Sequence, residues 1–292
     1  HRALDAAYES SMGEAKIGST LKGISPTYTD KFSRNGLRIG DVLSSDFGNL
    51  YATLREKHLK ILSLYGVNLD EVKIDGLSFA KFEEKWKNSI GLIRSLQLID
   101  SEYVINEYIR EGKKILAEGA QGTMLDVDFG SYPFVTSSNT ICGGVCTGLG
   151  IAPQHIKNVY GVFKAYCTRV GSGPFPTELF DKDGEMMQKR GSEFGSTTGR
   201  ARRCGWLDLV ALRFAIRING VNRLIMTKAD VLDAFESIKL GNAYECGGRD
   251  YQYPPYEICQ QSINPALLSI VGWKQDITEI TSKEDLPARL KH

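Results

Sequence analysis

The sequence predicts an α/β fold, with a mostly parallel central sheet flanked by helices and a helical insertion near the N-terminal part. Two observations predict this class. Strand, loop, helix and strand patterns follow one another over 158–226, which is the order typical of parallel crossovers. Apolar residues also recur at helical spacing over long segments of the first third of the chain. We expect one α/β domain over residues 1–292, with the helical subregion at about 45–112.

The N-terminal elements follow from apolar spacing and loop composition. Residues 18–40 are dense in glycine, hydroxyl and cationic side chains, which predicts a loop suited to an anion. Residues 49–65 and 77–96 each place apolar side chains on one face of a helix, and a third helix is predicted around 103–109. A short apolar run at 114–118 predicts a strand. We expect these helices to form scaffold and to carry no chemistry.

The C-terminal elements alternate between strand and helix patterns. The sequence predicts a strand at 158–170, a helix at 206–218 that ends at Asn219 and Gly220, and a strand at 223–226. A further helix is expected over 231–239. Residues 241–255 predict a hairpin that turns at Gly247 and Gly248.

Composition and charge limit the functional classes. The 292 residues are 42% hydrophobic and 24% charged, as in globular proteins. The 36 lysines and arginines against 35 acids leave a net charge of +1, which offers no electrostatic basis for binding nucleic acid or a membrane surface. No apolar run reaches the roughly 18 residues of a membrane span. We therefore expect a soluble, cytoplasmic protein.

Metal-ligating residues are few. The six cysteines include no Cys-x-x-Cys pair, and two of the four histidines, His1 and His292, stand at the chain ends. These counts argue against structural zinc and against a histidine-rich metal site. We expect no metal ligands within this chain.

The segment Thr-Lys-Ala-Asp at 227–230 follows a predicted strand, where open α/β sheets place their ligands. The two oxygens of Asp230 suit the neighbouring N1 and N2 donors of guanine, and the stem of Lys228 can cover the ring. Adenine lacks that pair of donors. The alternative is a solvated lysine and an aspartate that caps the helix over 231–239.

Two cationic segments are candidate anion sites. Arg200, Arg202 and Arg203 follow hydroxyl residues at 197–198, and guanidinium groups of this kind hold carboxylate or phosphate. A solvated cationic loop is the alternative. Arg34, downstream of Thr20, lies in the second segment, where ordinary surface charge is the favoured interpretation.

Other polar residues give weaker signals. Gln121 lies just after the predicted strand at 114–118, and its amide can donate to an oxyanion on a bound ring. Asp126 and Asp128 fit structural hydrogen bonds better than a paired-carboxylate mechanism. No Gly-x-x-x-x-Gly-Lys-Ser/Thr phosphate loop occurs, so the guanine corner alone is an incomplete nucleotide site.

Several of these segments together resemble the adenylosuccinate synthetase family. The resemblance covers almost the whole chain and is weakest over the helical stretch 43–111. The matching segments are 118–123 (Glu-Gly-Ala-Gln-Gly-Thr), 132–139 (Tyr-Pro-Phe-Val-Thr-Ser-Ser-Asn), 168–178, 197–200 (Thr-Thr-Gly-Arg), 203–208 and 227–233. Members of that family join IMP to L-aspartate with hydrolysis of GTP, through 6-phosphoryl-IMP, and use Mg²⁺.

The resemblance implies a role for each matching residue. The IMP contacts are Thr20, Arg34, Gln121, Thr136 and Arg200, with Gln121 as the catalytic residue that stabilises charge on the 6-oxygen. Arg34 resembles the arginine that reaches the neighbouring subunit's IMP, which implies a homodimer. The aspartate-binding loop is Ser196, Thr197, Thr198, Gly199, Arg200, Ala201 and Arg202. The GTP contacts are Arg202, Lys228, Ala229 and Asp230.

Family members also carry segments that this sequence does not show. Their chains begin before the position of His1 with a phosphate loop, which supplies a catalytic aspartate that also binds Mg²⁺ and a catalytic histidine, and they continue past His292. The resemblance therefore implies an internal fragment that is inactive alone, with Mg²⁺ ligands in the missing N-terminal segment. A non-catalytic module for purine-nucleotide binding or dimerisation is the alternative.

Overall fold

The computed structural model describes residues 1–195, 199–259 and 263–291, with the backbone alone at Glu257 and Cys259. None of the described helices is both long enough and apolar enough to cross a membrane. The helices are α1 (Arg2–Ser11), α2 (Ile24–Phe32), α3 (Phe47–Leu64), α4 (Phe79–Arg94), α5 (Ser101–Arg110), α6 (Gly143–Leu149), α7 (Lys182–Arg190), α8 (Leu209–Asn219) and α9 (Ala288–Lys291). The strands are β1 (Lys73–Ile74), β2 (Leu77–Ser78), β3 (Tyr160–Lys164), β4 (Tyr166–Arg169), β5 (Arg203–Asp208), β6 (Arg223–Thr227), β7 (Ser237–Cys246), β8 (Arg249–Tyr251) and β9 (Asn264–Val271).

The chain forms two compact units. Unit 1 comprises His1–Glu118, Thr136–Asn139 and Thr147–Ile151, and unit 2 comprises Gly119–Val135, Thr140–Cys146 and Ala152–His292. The single-domain organisation expected from the sequence stays a prediction.

Unit 1 is mostly helical and contains the segment 45–112, in which the sequence predicts a helical subregion. Helices α3, α4 and α5 confirm the three segments chosen by apolar spacing. Ala3, Leu4 and Ala7 of α1 form a buried cluster with Leu62 of α3, so an apolar face holds these helices together. Strands β1 and β2 form a short antiparallel hairpin between α3 and α4.

The prediction of a loop throughout 18–40 is wrong, because α2 occupies its centre. Gly23 precedes this helix in the left-handed conformation (φ 80°) and Pro26 lies in its first turn. Proline is tolerated there because the first-turn N–H groups have no partner within the helix. The glycine and proline that indicated a loop therefore mark the start of a helix.

Unit 2 confirms the α/β class and contains a mixed sheet. The order β4-β5-β7-β8, with β9 also pairing with β7, gives a five-stranded sheet, and β3 pairs with β6 separately. The β3–β6 and β5–β7 ladders are parallel, as crossover connections require. The ladders β4–β5, β7–β8 and β7–β9 are antiparallel.

Two predicted elements have different boundaries in the structure. The predicted strand at 158–170 is two strands, β3 and β4, which separate at Ala165 and enter different sheets. The predicted helix at 206–218 begins only at 209, because 203–208 form strand β5 and Asp208 accepts the capping hydrogen bond from the Ala211 N–H. Apolar residues at 206–207 suit either a buried strand or a helix, so spacing alone did not separate the two.

Two other predicted elements do not form. The helix expected over 231–239 is a single 3-10 turn, Ala229–Leu232, followed by strand β7. No strand forms over 114–118, where the side chain of Leu116 is 88% exposed. The predicted hairpin is confirmed: β7 and β8 turn at Gly247 and Gly248, whose φ angles of 58° and 73° suit glycine.

The main core of unit 2 lies against the face of the sheet. Tyr166 of β4 and Trp206 of β5 are each 1% exposed, and they cluster with Met187 of α7 and Leu232. The ring of Trp206 meets that of Phe235 edge-on at 5.5 Å between centroids, a favoured aromatic geometry. This core supports α7 and the loop that follows it.

We predict that Gly205→Ala destabilises unit 2 by about 1–3 kcal/mol through overpacking. A Cβ at this position of β5 would collide with the Thr177 carbonyl oxygen and lie 2.9 Å from the Cα of Glu178. Urea unfolding followed by tryptophan fluorescence measures the effect. Gly91→Ala is the control, because its Cβ would meet nothing within 4 Å on helix α4. Equal stability of the parent and Gly205→Ala would contradict this packing.

Candidate active site

The structure describes most of the predicted site residues and assigns them to both units. Ser196, Thr197 and Thr198 lie outside the described residues. Unit 1 contains Thr20, Arg34 and Thr136, and unit 2 contains Gln121, Gly199, Arg200, Ala201, Arg202, Lys228, Ala229 and Asp230.

In unit 2, the base of the cationic loop is anchored by a buried carboxylate. Glu193 is fully buried, and its Oε2 accepts a hydrogen bond from a guanidinium N–H of Arg202 at 2.7 Å. Its Oε1 accepts from Lys164 Nζ at 2.7 Å and from the hydroxyl of Tyr166. The Arg202 backbone N–H also donates to the Glu193 carbonyl, at 2.9 Å. Two of these hydrogen bonds therefore hold Arg202, and the other two hold the carboxylate of Glu193 that it binds.

The charge of this cluster suits an anion. Burial alone would raise the pKa of the Glu193 carboxyl, but the hydrogen bonds from Lys164, Tyr166 and Arg202 outweigh burial and hold that pKa below its usual value. Glu193 is therefore ionised at neutral pH. Lys164 and Arg202 then leave the three charged side chains with a formal net charge of +1, and both cations are partly exposed.

The described ends of the loop pair with each other. Phe194 and Ala201 form an antiparallel bridge. The Gly195 N–H donates to the Arg200 carbonyl at 2.8 Å, and the Gly199 N–H donates to the Gly195 carbonyl at 2.7 Å. The side chain of Arg200 is exposed. The described residues on either side of 196–198 are thus held together, next to the contacts between Glu193 and Arg202.

The Thr-Lys-Ala-Asp segment lies at the carboxyl end of strand β6, as the sequence predicts. Lys228 is in the left-handed conformation, and its Nζ donates to the Gly191 carbonyl at 2.8 Å. The alternative in which Asp230 caps a helix is wrong, because 231–239 form no α-helix. Within the described part of the chain, no donor lies in hydrogen-bond reach of the Asp230 carboxylate.

The turn after α7 connects the two predicted sites of unit 2. Arg190 donates from Nε to the Val231 carbonyl at 3.1 Å and from Nη2 to the Asp230 carbonyl at 3.3 Å. Lys228 binds the next residue, Gly191, and Glu193 follows two positions later. Residues 190–193 therefore contact the segment 228–231 on one side and the base of the arginine loop on the other.

The segment after Gln121 is organised by Asp126. Its Oδ1 accepts from the N–H groups of Asp128 and Phe129 at 3.0 and 3.1 Å, and its Oδ2 accepts from those of Thr140 and Ile141 at 2.7 and 3.2 Å. These bonds outweigh burial and lower the pKa of the Asp126 carboxyl. Each carboxylate oxygen of Asp126 accepts hydrogen bonds from two backbone N–H groups. The structural interpretation of Asp126 is therefore confirmed.

Backbone strain coincides with several predicted site residues. Seven described non-glycine residues have φ between 49° and 63°, and Arg34, Gln121 and Lys228 are among them. The left-handed region costs such residues roughly 1–2 kcal/mol. Strain of this kind persists where the surrounding structure enforces it, and it concentrates at functional sites. The side chains of all three residues are exposed.

In unit 1, the predicted residues lie around helix α2. Thr20 precedes the helix and is exposed, and Arg34 follows its C-terminus. Thr136 is half-buried, and its neighbour Ser137 donates from Oγ to the hydroxyl of Ser25 at 3.0 Å. The segment 136–139 therefore lies against the first turn of α2.

Sequence reasoning missed the residues that support the site. Glu193, Lys164, Tyr166 and Arg190 received no role. Glu193 binds Arg202 and Arg190 binds the Asp230 carbonyl, whereas Lys164 and Tyr166 act through Glu193. The available signal was a single acid, Glu193, close before a run of arginines, and a single lysine, Lys164, in an apolar strand. The histidine count also missed that His1 and His58 bind one carboxylate.

We predict that Glu193→Gln destabilises unit 2 by about 3 kcal/mol at pH 7, because it leaves two cations without their counter-ion. The folded pKa of Glu193 lies below the usual value of 4.5, so the stabilisation exists above that pH and is lost as the pH falls. In urea unfolding, the stability difference from the parent should therefore hold from pH 7 down to about pH 5 and shrink as the pH falls below 4.5.

Glu185→Gln on α7 is the matched control, because its carboxylate is 72% exposed and pairs with Lys189 at the surface. Its expected effect is below about 0.5 kcal/mol. If both glutamine variants unfold alike, Glu193 does not hold the loop base.

Known proteins match almost the whole sequence of this chain. The family model for adenylosuccinate synthetase matches residues 1–292. The adenylosuccinate synthetase of Parabacteroides distasonis is 56% identical over 287 residues, covering 98% of this chain and 66% of the relative. The Flavobacterium johnsoniae enzyme is 53% identical over 291 residues, covering 67% of that relative.

The fold agrees with that of a solved relative. The fully ligated adenylosuccinate synthetase from Plasmodium falciparum superimposes with a TM-score of 0.88 at 36% identity, covering 100% of this chain and 68% of that chain. The chain thus spans about two thirds of the length of the proteins that it matches. It belongs to the adenylosuccinate synthetase family.

Proposed function

We propose that this protein takes part in the GTP-dependent ligation of IMP and L-aspartate, which yields adenylosuccinate, GDP and phosphate. The observation that carries the proposal is the 56% identity, over 98% of the chain, with a relative named adenylosuccinate synthetase. In this reaction the γ-phosphoryl group of GTP passes to the 6-oxygen of IMP. The aspartate amine then forms the new C–N bond at C6, and inorganic phosphate leaves with that oxygen.

Lys228, Ala229 and Asp230 bind the guanine base of GTP in this proposal. The carboxylate of Asp230 accepts hydrogen bonds from N1–H and N2–H, and the stem of Lys228 covers the ring face. The position at the carboxyl end of β6 supports this role, as does a carboxylate with no described donor in reach. An adenine base offers no matching pair of donors, so the site favours GTP over ATP.

The arginine loop binds the anionic groups. Residues 196–202 hold the aspartate carboxylates, Arg200 also approaches IMP, and Arg202 approaches GTP. The net positive charge of the Glu193 cluster supports anion binding at this loop. Because Glu193 already fixes the orientation of the Arg202 side chain, the guanidinium loses little conformational freedom when it binds an anion.

Thr20, Gln121 and Thr136 bind IMP in the same proposal. The amide of Gln121 donates to the 6-oxygen, where negative charge develops when the phosphoryl group is accepted. The strained backbone of Gln121 supports a positioning role of this kind. Arg34, exposed after α2, binds the IMP phosphate of a second subunit, so the protein acts as a homodimer.

Mg²⁺ is the cofactor that the family implies. This ion prefers oxygen ligands in an octahedral arrangement. Within the described residues, the only group of three convergent ligand side chains is His1, Asp30 and His58, which has two nitrogen ligands. These residues do not fit Mg²⁺, and none of the described residues is assigned to it.

A chimera tests the proposed reaction. The 292 residues are joined to the flanking segments of the Parabacteroides distasonis relative and incubated with IMP, L-aspartate, Mg²⁺ and either GTP or ATP. We expect adenylosuccinate only with GTP, by chromatography of the nucleotides. No product from the chimera, with the intact relative active in parallel, would overturn the proposed reaction.

We predict that Asp230→Asn in the chimera raises the KM for GTP by roughly tenfold to a hundredfold, the effect of losing a charged hydrogen bond. The KM for IMP should change little, because the proposed contact of Asp230 is with the guanine base of GTP. Asp250→Asn is the control, since Asp250 is exposed on β8. An unchanged KM for GTP would remove Asp230 from the guanine site.

A further inference from the structure

Three side chains from separate elements converge in unit 1. His1 precedes α1, Asp30 lies on α2 and His58 lies on α3. The Nε2 atoms of His1 and His58 lie 2.7 and 2.6 Å from the same oxygen, Oδ2 of Asp30. All three ligand atoms fall within 4.8 Å of one another. The arrangement brings two imidazole nitrogens and one carboxylate oxygen to a single point.

The surrounding packing holds these groups in place. Asp30 is 2% exposed and His58 is 9% exposed, so neither side chain moves freely in water. The two imidazole rings meet edge-on with centroids 4.5 Å apart. Leu4 of α1 and Leu62 of α3 pack in one buried cluster, close in sequence to the two histidines. Ligands on packed helices lose little freedom when they bind an ion.

A cavity adjoins the cluster and provides room for further ligands. Its volume is about 320 Å³, and Asp30 and His58 form part of its wall. The polar side chains of Thr29, Ser33 and Asn35 also line it. Water bound to an ion at the cluster would therefore have both space and hydrogen-bond partners.

We propose that His1, Asp30 and His58 form a binding site for a divalent transition-metal ion, with Zn²⁺ as the best match. Two imidazoles and one carboxylate are a ligand set that Zn²⁺ accepts, with water completing the tetrahedron. Mg²⁺ and Ca²⁺ prefer oxygen ligands and match it poorly. The proposal departs from the expectation, drawn from the histidine count, of a chain without metal ligands.

Metal binding requires a small and chemically balanced change. In the hydrogen-bonded arrangement each Nε2 carries a proton that it donates to Asp30, so binding moves that proton to Nδ1 of the same neutral ring. Bonds of about 2.0–2.1 Å at tetrahedral angles separate the ligand atoms by about 3.3 Å. Each ring therefore withdraws from Oδ2 by roughly 0.7 Å.

Lys57 opposes the metal and supplies the sharpest test. Its Nζ donates to Oδ1 of Asp30 at 2.6 Å, which leaves Oδ2 for the ion but adds a positive charge beside it. Removing that charge should strengthen metal binding, whereas removing a ligand should weaken it. A purely structural cluster gives no reason for these two opposite effects on metal affinity.

The experiment is a titration of the purified, chelator-treated chain with Zn²⁺ by calorimetry and with Co²⁺ by visible absorption. An N-acetylated Gly-Ser-Gly-Ser extension before His1 removes the free amino group as a possible ligand. We expect one Zn²⁺ per chain and a Co²⁺ spectrum without a thiolate charge-transfer band. His58→Ala should weaken binding at least tenfold, Lys57→Gln should tighten it severalfold, and exposed His155→Ala should leave it unchanged.

Circular dichroism checks that each variant folds. If His58→Ala does not fold, Lys57→Gln still tests the proposal. Three outcomes would overturn the site: no binding by the parent, equal affinity in the parent and a folded His58→Ala, or weaker binding in a folded Lys57→Gln. The readout is metal affinity, so these outcomes leave the ligase proposal untouched.

Discussion

The buried carboxylate of Glu193 is the interaction on which the rest of the candidate site depends. A carboxylate removed from water stays ionised only where donors replace its hydration. Lys164 on β3, Tyr166 on β4 and Arg202 at the loop base supply those donors. Strands β3 and β4 belong to different sheets, so one charge ties the two-stranded parallel sheet, the five-stranded sheet and the arginine loop into one arrangement.

The turn at residues 190–193 explains how the two proposed substrate sites are linked within unit 2. Residues 190–193 end helix α7, whose Met187 is fully buried in the core, so the turn is supported by packing as well as by charge. Arg190 and the Gly191 carbonyl hold the backbone of 230–231 and the amine of Lys228. Any shift of the turn therefore displaces both the predicted guanine contacts and Arg202. Two motifs that are 26 positions apart, at 202 and 228, are thus linked through contacts that neither motif contains.

The sequence predicted those elements whose pattern is local. Helices α3, α4 and α5 carry their own amphipathic spacing, and the turn at 247–248 carries its own glycines. The division of 158–170 into β3 and β4 was not predictable, because it depends on which strands pair with each half. Glu193 was not predictable as an anchor for the same reason: its donors are 27 and 29 positions away on one side and 9 on the other. The predicted contacts of Gln121, Lys228 and Asp230 rest on motif resemblance and stay predictions.

The left-handed backbone angles separate turn chemistry from function. Seven described non-glycine residues have a positive φ. The φ of Asp75 is explained by the two-residue turn between β1 and β2, where such angles are favoured. Lys274 follows β9 and has no such explanation. The other five are Leu21, Arg34, Gln121, Ser192 and Lys228. Three of these five are predicted site residues, Leu21 follows Thr20, and Ser192 precedes Glu193. Arg34 and Ser192 each follow a helix, and the N–H of the next residue donates to the carbonyl five positions back, so helix capping explains the positive φ of both. Backbone strain therefore supports the motifs mainly at Gln121 and Lys228, at a cost of roughly 1–2 kcal/mol for each residue.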